Sequence, residues 1–225
     1  MTEPTFETLE LRARLKAFLD QKLTIDGEEF RLGSIKLGVY AFFDYDGEPI
    51  YVGQTWEQLG TRIRRHLTNQ RTDAVAMKVL DPYEVHKIEV WPLVQYQKSP
   101  ATGRAHLNWL EHDVFQELLA KSKFQAVLNE KDPSFVEKGV FDRPRSFSGV
   151  VISEDVYKWR SHKDTRIARR AETLANLAKV ISERQVNKGL RRTLLTQAKR
   201  LAHLADARLS EFADLPDEEP TEPDE

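Results

Sequence analysis

Two tyrosines, Tyr40 and Tyr51, stand in the triplets Gly38-Val39-Tyr40 and Tyr51-Val52-Gly53 at either end of "GVYAFFDYDGEPIYVGQT", residues 38–55. Phenols on neighbouring strands can orient a water or a phosphate; the plainer reading is that tyrosine is a strand former whose ring packs and whose hydroxyl reaches water. Further on, Arg62 and His66 lie four apart, so a helix places them on one face. An arginine offers a fixed fork of donors to a phosphate, and a histidine can move a proton near neutral pH. The matching anion is in "HLNWLEHDVFQELLAK", residues 106–121. At about 100° per residue, Leu107, Leu110, Val114 and Leu118 share one arc, and Glu111 falls about 40° from Leu107, inside it. A carboxylate there is costly unless it is paired or binds a cation. Glu111 is therefore a candidate metal ligand, with a buried ion pair to Arg62 as the alternative. Glu117 lies at the edge of the arc, within reach of water, and is the weaker candidate. Asn129, after this helix, reads as a phosphate ligand or as an ordinary turn residue.

The elements that must position these groups are legible in outline. Residues 5–22 have apolar residues at helical spacing behind Pro4 and predict a packing helix, followed by the loop "GEEFRLGS". "DYDG" is a hairpin turn, because Asp-Gly tolerates positive φ. "TRIRRHLTNQ" pairs Ile63 with Leu67, "EVHKIEVWPLV" (84–94) reads as a third strand, and 106–121 as a second strong helix. The expected class is α/β (α+β): a small domain over 36–130 with a three-stranded antiparallel sheet flanked by helices, preceded by a helix and loop over 1–35. Residues 131–152 carry prolines and glycines without a period and predict a linker. Residues 153–212 return to helical spacing, and 213–225 read as a disordered acidic tail.

Composition narrows the chemistry. The 225 residues are 40% hydrophobic and 31% charged and include no cysteine, so any metal is held by carboxylate, imidazole or water. The first residues lack the apolar core of a signal peptide, and no run approaches the roughly 18 apolar residues of a membrane span, so a soluble cytoplasmic protein with no membrane partner is expected. The net charge of −2 conceals an asymmetry. Between Lys158 and Arg200 there are 13 Lys or Arg against 3 Asp or Glu, whereas Glu211–Glu225 holds 8 acidic residues and no basic one. A basic segment of this kind is the footprint of a polyanion binder, with a solvated helical face as the bland alternative. On that reading Arg166, Arg169, Arg170, Arg191 and Arg192 meet the phosphates of DNA, or the helices instead pair two copies in a homodimer.

The ordered set Gly38-Val39-Tyr40, Tyr51-Val52-Gly53, Arg62 with His66, an inward Glu and then Asn129 resembles the GIY-YIG nuclease superfamily, with Val for Ile in both triplets. The Arg-x-x-x-His helix is most similar to the restriction-endonuclease branch rather than to the excision-repair incision subunit. The resemblance implies a divalent-metal-dependent endonuclease acting on DNA, double-stranded by expectation, in restriction or phage defence. It implies that Tyr40 is the general base or water-orienting phenol and that Tyr51 supports the nucleophile and phosphate. Arg62 would then stabilise charge on the phosphate, and His66 would assist proton transfer. Glu111 would hold a single Mg2+, which Mn2+ can replace, and Asn129 would brace the site. Many family members have about twelve residues between Glu and Asn, the spacing of Glu117 to Asn129; Glu111 is preferred on its place in the apolar arc. The competing class is a catalytically inert module of the same fold that binds nucleic acid or protein.

Overall fold

The computed structural model of the protein describes residues 5–68, 79–129, 131–137, 141–183 and 185–213. All but the first residue of the expected acidic tail, 214–225, lies outside them. The first helix, α1 (Phe6–Leu19), is capped by Thr5, whose Oγ1 accepts from the Thr8 N–H, and it buries Leu11, Leu15, Phe18 and Leu19. A hairpin of β1 (Lys22–Ile25) and β2 (Glu28–Arg31) follows where only a loop was expected. Its turn is the Asp26-Gly27 pair, both at positive φ, a signal present in the sequence but flanked by strands too short to show alternation.

The main sheet has the order β4-β3-β5-β6, every neighbouring pair antiparallel, from β3 (Gly38–Phe43), β4 (Pro49–Thr55), β5 (Lys87–Pro92) and β6 (Phe147–Val150). The sheet thus has four strands rather than three, and the fourth comes from the segment expected to be a linker. "FSGV" is too short to carry a period, and it docks because Gly149 leaves room for the ring of Phe18. One face of the sheet, with Tyr40, Phe42, Ile50, Ile88 and Val90, packs on α1, α2 (Leu59–Thr68) and the C-terminal helices. The other, with Val39, Ala41, Phe43, Val52 and Trp91, packs on α3 (Arg104–Lys121) through Leu107, Leu110, Val114 and Leu118. Covering both faces explains why β3 reads as an unbroken apolar run rather than an alternating one.

The C-terminal region forms α4 (Glu154–Arg160), α5 (Lys163–Glu183) and α6 (Lys188–Leu209), the last two packed on each other. Their leucines join the core, and their arginines enter a buried ion network centred on the turn of the β3–β4 hairpin. Asp44, 2% exposed, accepts the Asp46 and Glu48 N–H groups on Oδ1 (2.9 and 3.0 Å) and Arg170 Nη2 and Arg200 Nη2 on Oδ2 (3.0 and 2.8 Å). Arg170 also donates from Nε to Glu84 at 2.6 Å and from Nη1 to the Arg200 carbonyl. Arg166 forks onto Asp46, and Arg169 onto Asp81. This corrects the expectation that Arg166, Arg169 and Arg170 face DNA. The first and third are each 3% exposed, and all three direct their donors at carboxylates of the sheet domain. Arg192 is exposed but forked onto Asp132 at 2.6 and 2.8 Å. Of the five, Arg191 alone is exposed with no carboxylate within ion-pair distance among the described residues.

Candidate active site

The site is assembled around β4, an edge strand whose outward backbone groups need partners. Three successive outward positions are filled, two from beyond α3 and the third from α3 itself. The Ile50 carbonyl accepts from Leu128 N–H at 2.7 Å. The side chain of Asn129 replaces a strand residue, its Oδ1 accepting from Val52 N–H at 3.1 Å and its Nδ2 donating to the Val52 carbonyl at 2.7 Å. The backbone N–H of Gln54 donates to the carboxylate of Glu111. Asn129 and Glu111, separated by eighteen residues, thereby meet the strand that carries Tyr51.

On the opposite side of β4, the register pairs Tyr40 with Gly53 and Phe42 with Tyr51. An irregularity between Phe42 and Phe43 accommodates one extra residue near the turn. Tyr40 and Tyr51 share a face, with ring centroids 6.2 Å apart. The glycine between them is required by this approach: a Cβ on Gly53 would stand 2.6 Å from Tyr40 Oη and 2.8 Å from a ring carbon of Tyr51. The Tyr40 hydroxyl, fully buried, lies 2.9 Å from His66 Nε2 and receives Arg62 Nε–H at 3.3 Å. The ring of His66 sits 5.3 Å from that of Tyr51. The structure therefore brings Tyr40, Tyr51, Arg62 and His66 into one cluster, with Glu111 and Asn129 at the edge of the strand beside it.

Electrostatics separates the roles of these groups. Burial, reinforced by Tyr51, raises the phenol of Tyr40 well above its ordinary range, and the Arg62 cation only partly opposes this. Burial also lifts the Glu111 carboxyl from 4.5 to about 7, against the Gln54 N–H and the positive charge of Arg62, which favour the ionised form. Glu117 behaves oppositely. Lys121 and Arg143 pair with it and hold it below the carboxylate range, in a separate groove with Phe43, Lys87 and Trp91. Glu111 instead lines a cleft of about 330 Å³ with Gln54, Asn108, Lys131 and Asp132.

Among the described residues no three His, Asp or Glu side chains form a ready cage for a metal. The donor set nonetheless suits one hard cation. A half-buried carboxylate faces a cleft, with no cation within ion-pair distance among the described residues, and water or substrate oxygens can complete the shell. Gln54 and Asn108, joined at 3.2 Å, are cleft residues that the sequence reading missed. Asn108 lies three residues before Glu111 on the same helix, and that spacing was an available signal.

No curated protein and no solved structure matches the chain. Residues 36–123 match the family model described as the GIY-YIG catalytic domain, a domain type typical of endonucleases. The match ends before Asn129, whose side chain closes the edge of the matched domain. In keeping with the paired tyrosines that Gly53 admits and the Arg62–His66 helix behind them, this part of the chain belongs to the GIY-YIG nuclease superfamily.

Proposed function

We propose that the protein is a divalent-metal-dependent endonuclease that hydrolyses phosphodiester bonds of double-stranded DNA. The observation that carries this reading is the Tyr40 hydroxyl, held at once by Arg62 Nε and His66 Nε2. Burial keeps Tyr40 a neutral phenol at neutral pH, so it acts as a relay rather than as a standing phenolate. Its oxygen accepts a proton from the attacking water as its own proton passes to His66 Nε2. The water oxygen bonds to phosphorus, the bond from phosphorus to the leaving oxygen breaks, and the leaving oxygen takes a proton from solvent. His66 returns its proton to solvent at the end of the cycle. Arg62 stabilises the charge that grows on the phosphate oxygens, Tyr51 flanks the nucleophile, and Asn129 fixes the strand on which Tyr51 rides.

Glu111 is the residue that would hold the metal, magnesium or manganese, which when bound supplies positive charge to the phosphate and leaving oxygens. One such site cuts one strand, so a double-strand break takes two copies, as in a homodimer, or two events. The Arg-x-x-x-His helix, similar to the restriction branch, favours a cytoplasmic role in restriction or phage defence. The test is supercoiled plasmid with magnesium, manganese or EDTA. Nicking or linearisation with either metal and none in EDTA is expected. Arg62→Ala and Glu111→Ala should each lose at least about 100-fold in rate, the scale of one transition-state charge stabiliser. A parent protein inert under all three conditions, or variants that cut like the parent, would sink the reading.

A further inference from the structure

The seam between β4 and α3 runs on from the cleft of Glu111 toward the N-terminal end of α3. Along this seam a series of rungs joins the two elements: Gln54 N–H to Glu111, Gln54 Nε2 to Asn108 Oδ1 at 3.2 Å, and then Trp56 beneath Arg104. The Arg104 guanidinium lies 5.5 Å from the centre of the Trp56 ring, and the indole is 41% exposed, unusually open for so large an apolar group. Residues 104, 108 and 111 follow one stripe of α3, since they are four and three apart. Among the cations beside the cleft, Arg192 is forked onto Asp132. Arg104 and Lys131, both exposed, have no carboxylate within ion-pair distance among the described residues. A guanidinium lying over an aromatic ring has its position set while its in-plane N–H edge stays free to donate, the geometry that suits a phosphate.

We propose that the surface along this seam is the track of the bound DNA and that Arg104, set in place by Trp56, grips a backbone phosphate away from the one being cut. The inference rests on the endonuclease reading for its substrate class. Arg104 lies seven residues before Glu111, about 10 Å along the helix axis. On a duplex that span corresponds to about three base-pair rises of about 3.4 Å. Arg104 is therefore a positioning contact that does not reach the reacting atoms, and Trp56 is its platform.

The test is equilibrium binding of a short fluorescent DNA duplex to the full chain in EDTA, across a series of salt concentrations. One phosphate contact contributes about 0.9 to the log–log salt slope, so Arg104→Ala should shallow the slope by about that amount. Trp56→Leu retains the charge and should keep the slope, while binding weakens about two- to fivefold. The control is Arg145→Ala. Arg145 lies 5.4 Å from the Phe147 ring, the same kind of pair placed at the start of β6 on the far edge of the sheet, and the parent slope should survive its loss. Three results overturn the inference: an Arg104→Ala slope equal to the parent's, an equal loss in Arg145→Ala, or a parent that does not bind the duplex. Trp56→Leu binding like the parent overturns the platform role. Cleavage is scored separately. A parent that binds with the expected slopes yet never cuts in magnesium refutes the endonuclease reading and leaves the track standing; one that cuts with an unchanged Arg104→Ala slope does the reverse.

Discussion

Replacing Glu111 by Gln should make the protein more stable while destroying cleavage. Its carboxyl titrates at about 7 in the folded chain against an ordinary 4.5, principally because it is buried. Each tenfold change in proton affinity is worth about 1.4 kcal/mol, so the ionised group costs the fold up to about 3 kcal/mol. The sign follows from proton binding. Between 4.5 and about 7 the folded state holds a proton that the unfolded state has released, so stability falls as pH rises through that window. Below 4.5 both states are protonated and the cost is absent. Above about 7 it is complete, because both states are ionised and one of them is buried. Gln keeps the shape and can still accept from Gln54 N–H, but carries no charge. Urea unfolding of parent and Glu111→Gln should therefore coincide near the acid end of the window and diverge above its upper end, with the variant more stable by about 1–3 kcal/mol. Magnesium should narrow the gap, because only the parent gains from binding it. A Glu111→Gln protein no more stable than the parent at high pH, or equally stabilised at every pH, would refute the assignment of Glu111 as an uncompensated charge.

Two further substitutions probe the framework. Gly53→Ala places a methyl against Tyr40 Oη and Tyr51 and displaces the hydroxyl from His66 and Arg62. A loss of about 100-fold in plasmid cleavage is expected, the scale of one misplaced catalytic group, with the circular-dichroism spectrum unchanged; parent-like cutting would show that the tyrosine contact is incidental. Asp44→Ala strands the buried guanidinium of Arg200 and leaves Arg170 with Glu84 as its one carboxylate partner among the described residues, and should cost about 3–5 kcal/mol in urea unfolding; a loss below about 1 kcal/mol would mean that the network adds nothing.

What could be read in advance, and what could not, divides along the range of the interactions. The tyrosine hairpin, the Arg62–His66 face and the inward Glu111 are all written in spacings of a few residues, where the period of a strand or helix carries the information. The wheel places Glu111 against apolar neighbours, and the structure gives it a cleft and a raised pKa. The basic segment failed as a guide because a count of charges says nothing about partners more than a hundred residues away. Arg166 and Arg170 answer to Asp46 and Asp44, at the turn of the β3–β4 hairpin. The strand β6 was hidden by its four-residue length, and the edge closure by Leu128 and Asn129 by the absence of any local period in that segment. The one missed signal of short range was the three-residue step from Asn108 to Glu111.

The turn that joins the two tyrosine strands has Asp44 at its head, and Arg170 and Arg200 reach it from two different helices. The chain is consequently not modular in the way its composition suggests. Cutting it after Gly149 would divide β6 and leave Asp44, Asp81 and Glu84 as bare carboxylates on the flank of the tyrosine hairpin. Transplanting the first half onto another partner would meet the same difficulty unless the partner supplied matching guanidinium groups. Inheritance should thus hold these acids and arginines together as a block, and a recombinant that exchanges one half alone would lose the rigidity of the strand pair that carries Tyr40 and Tyr51.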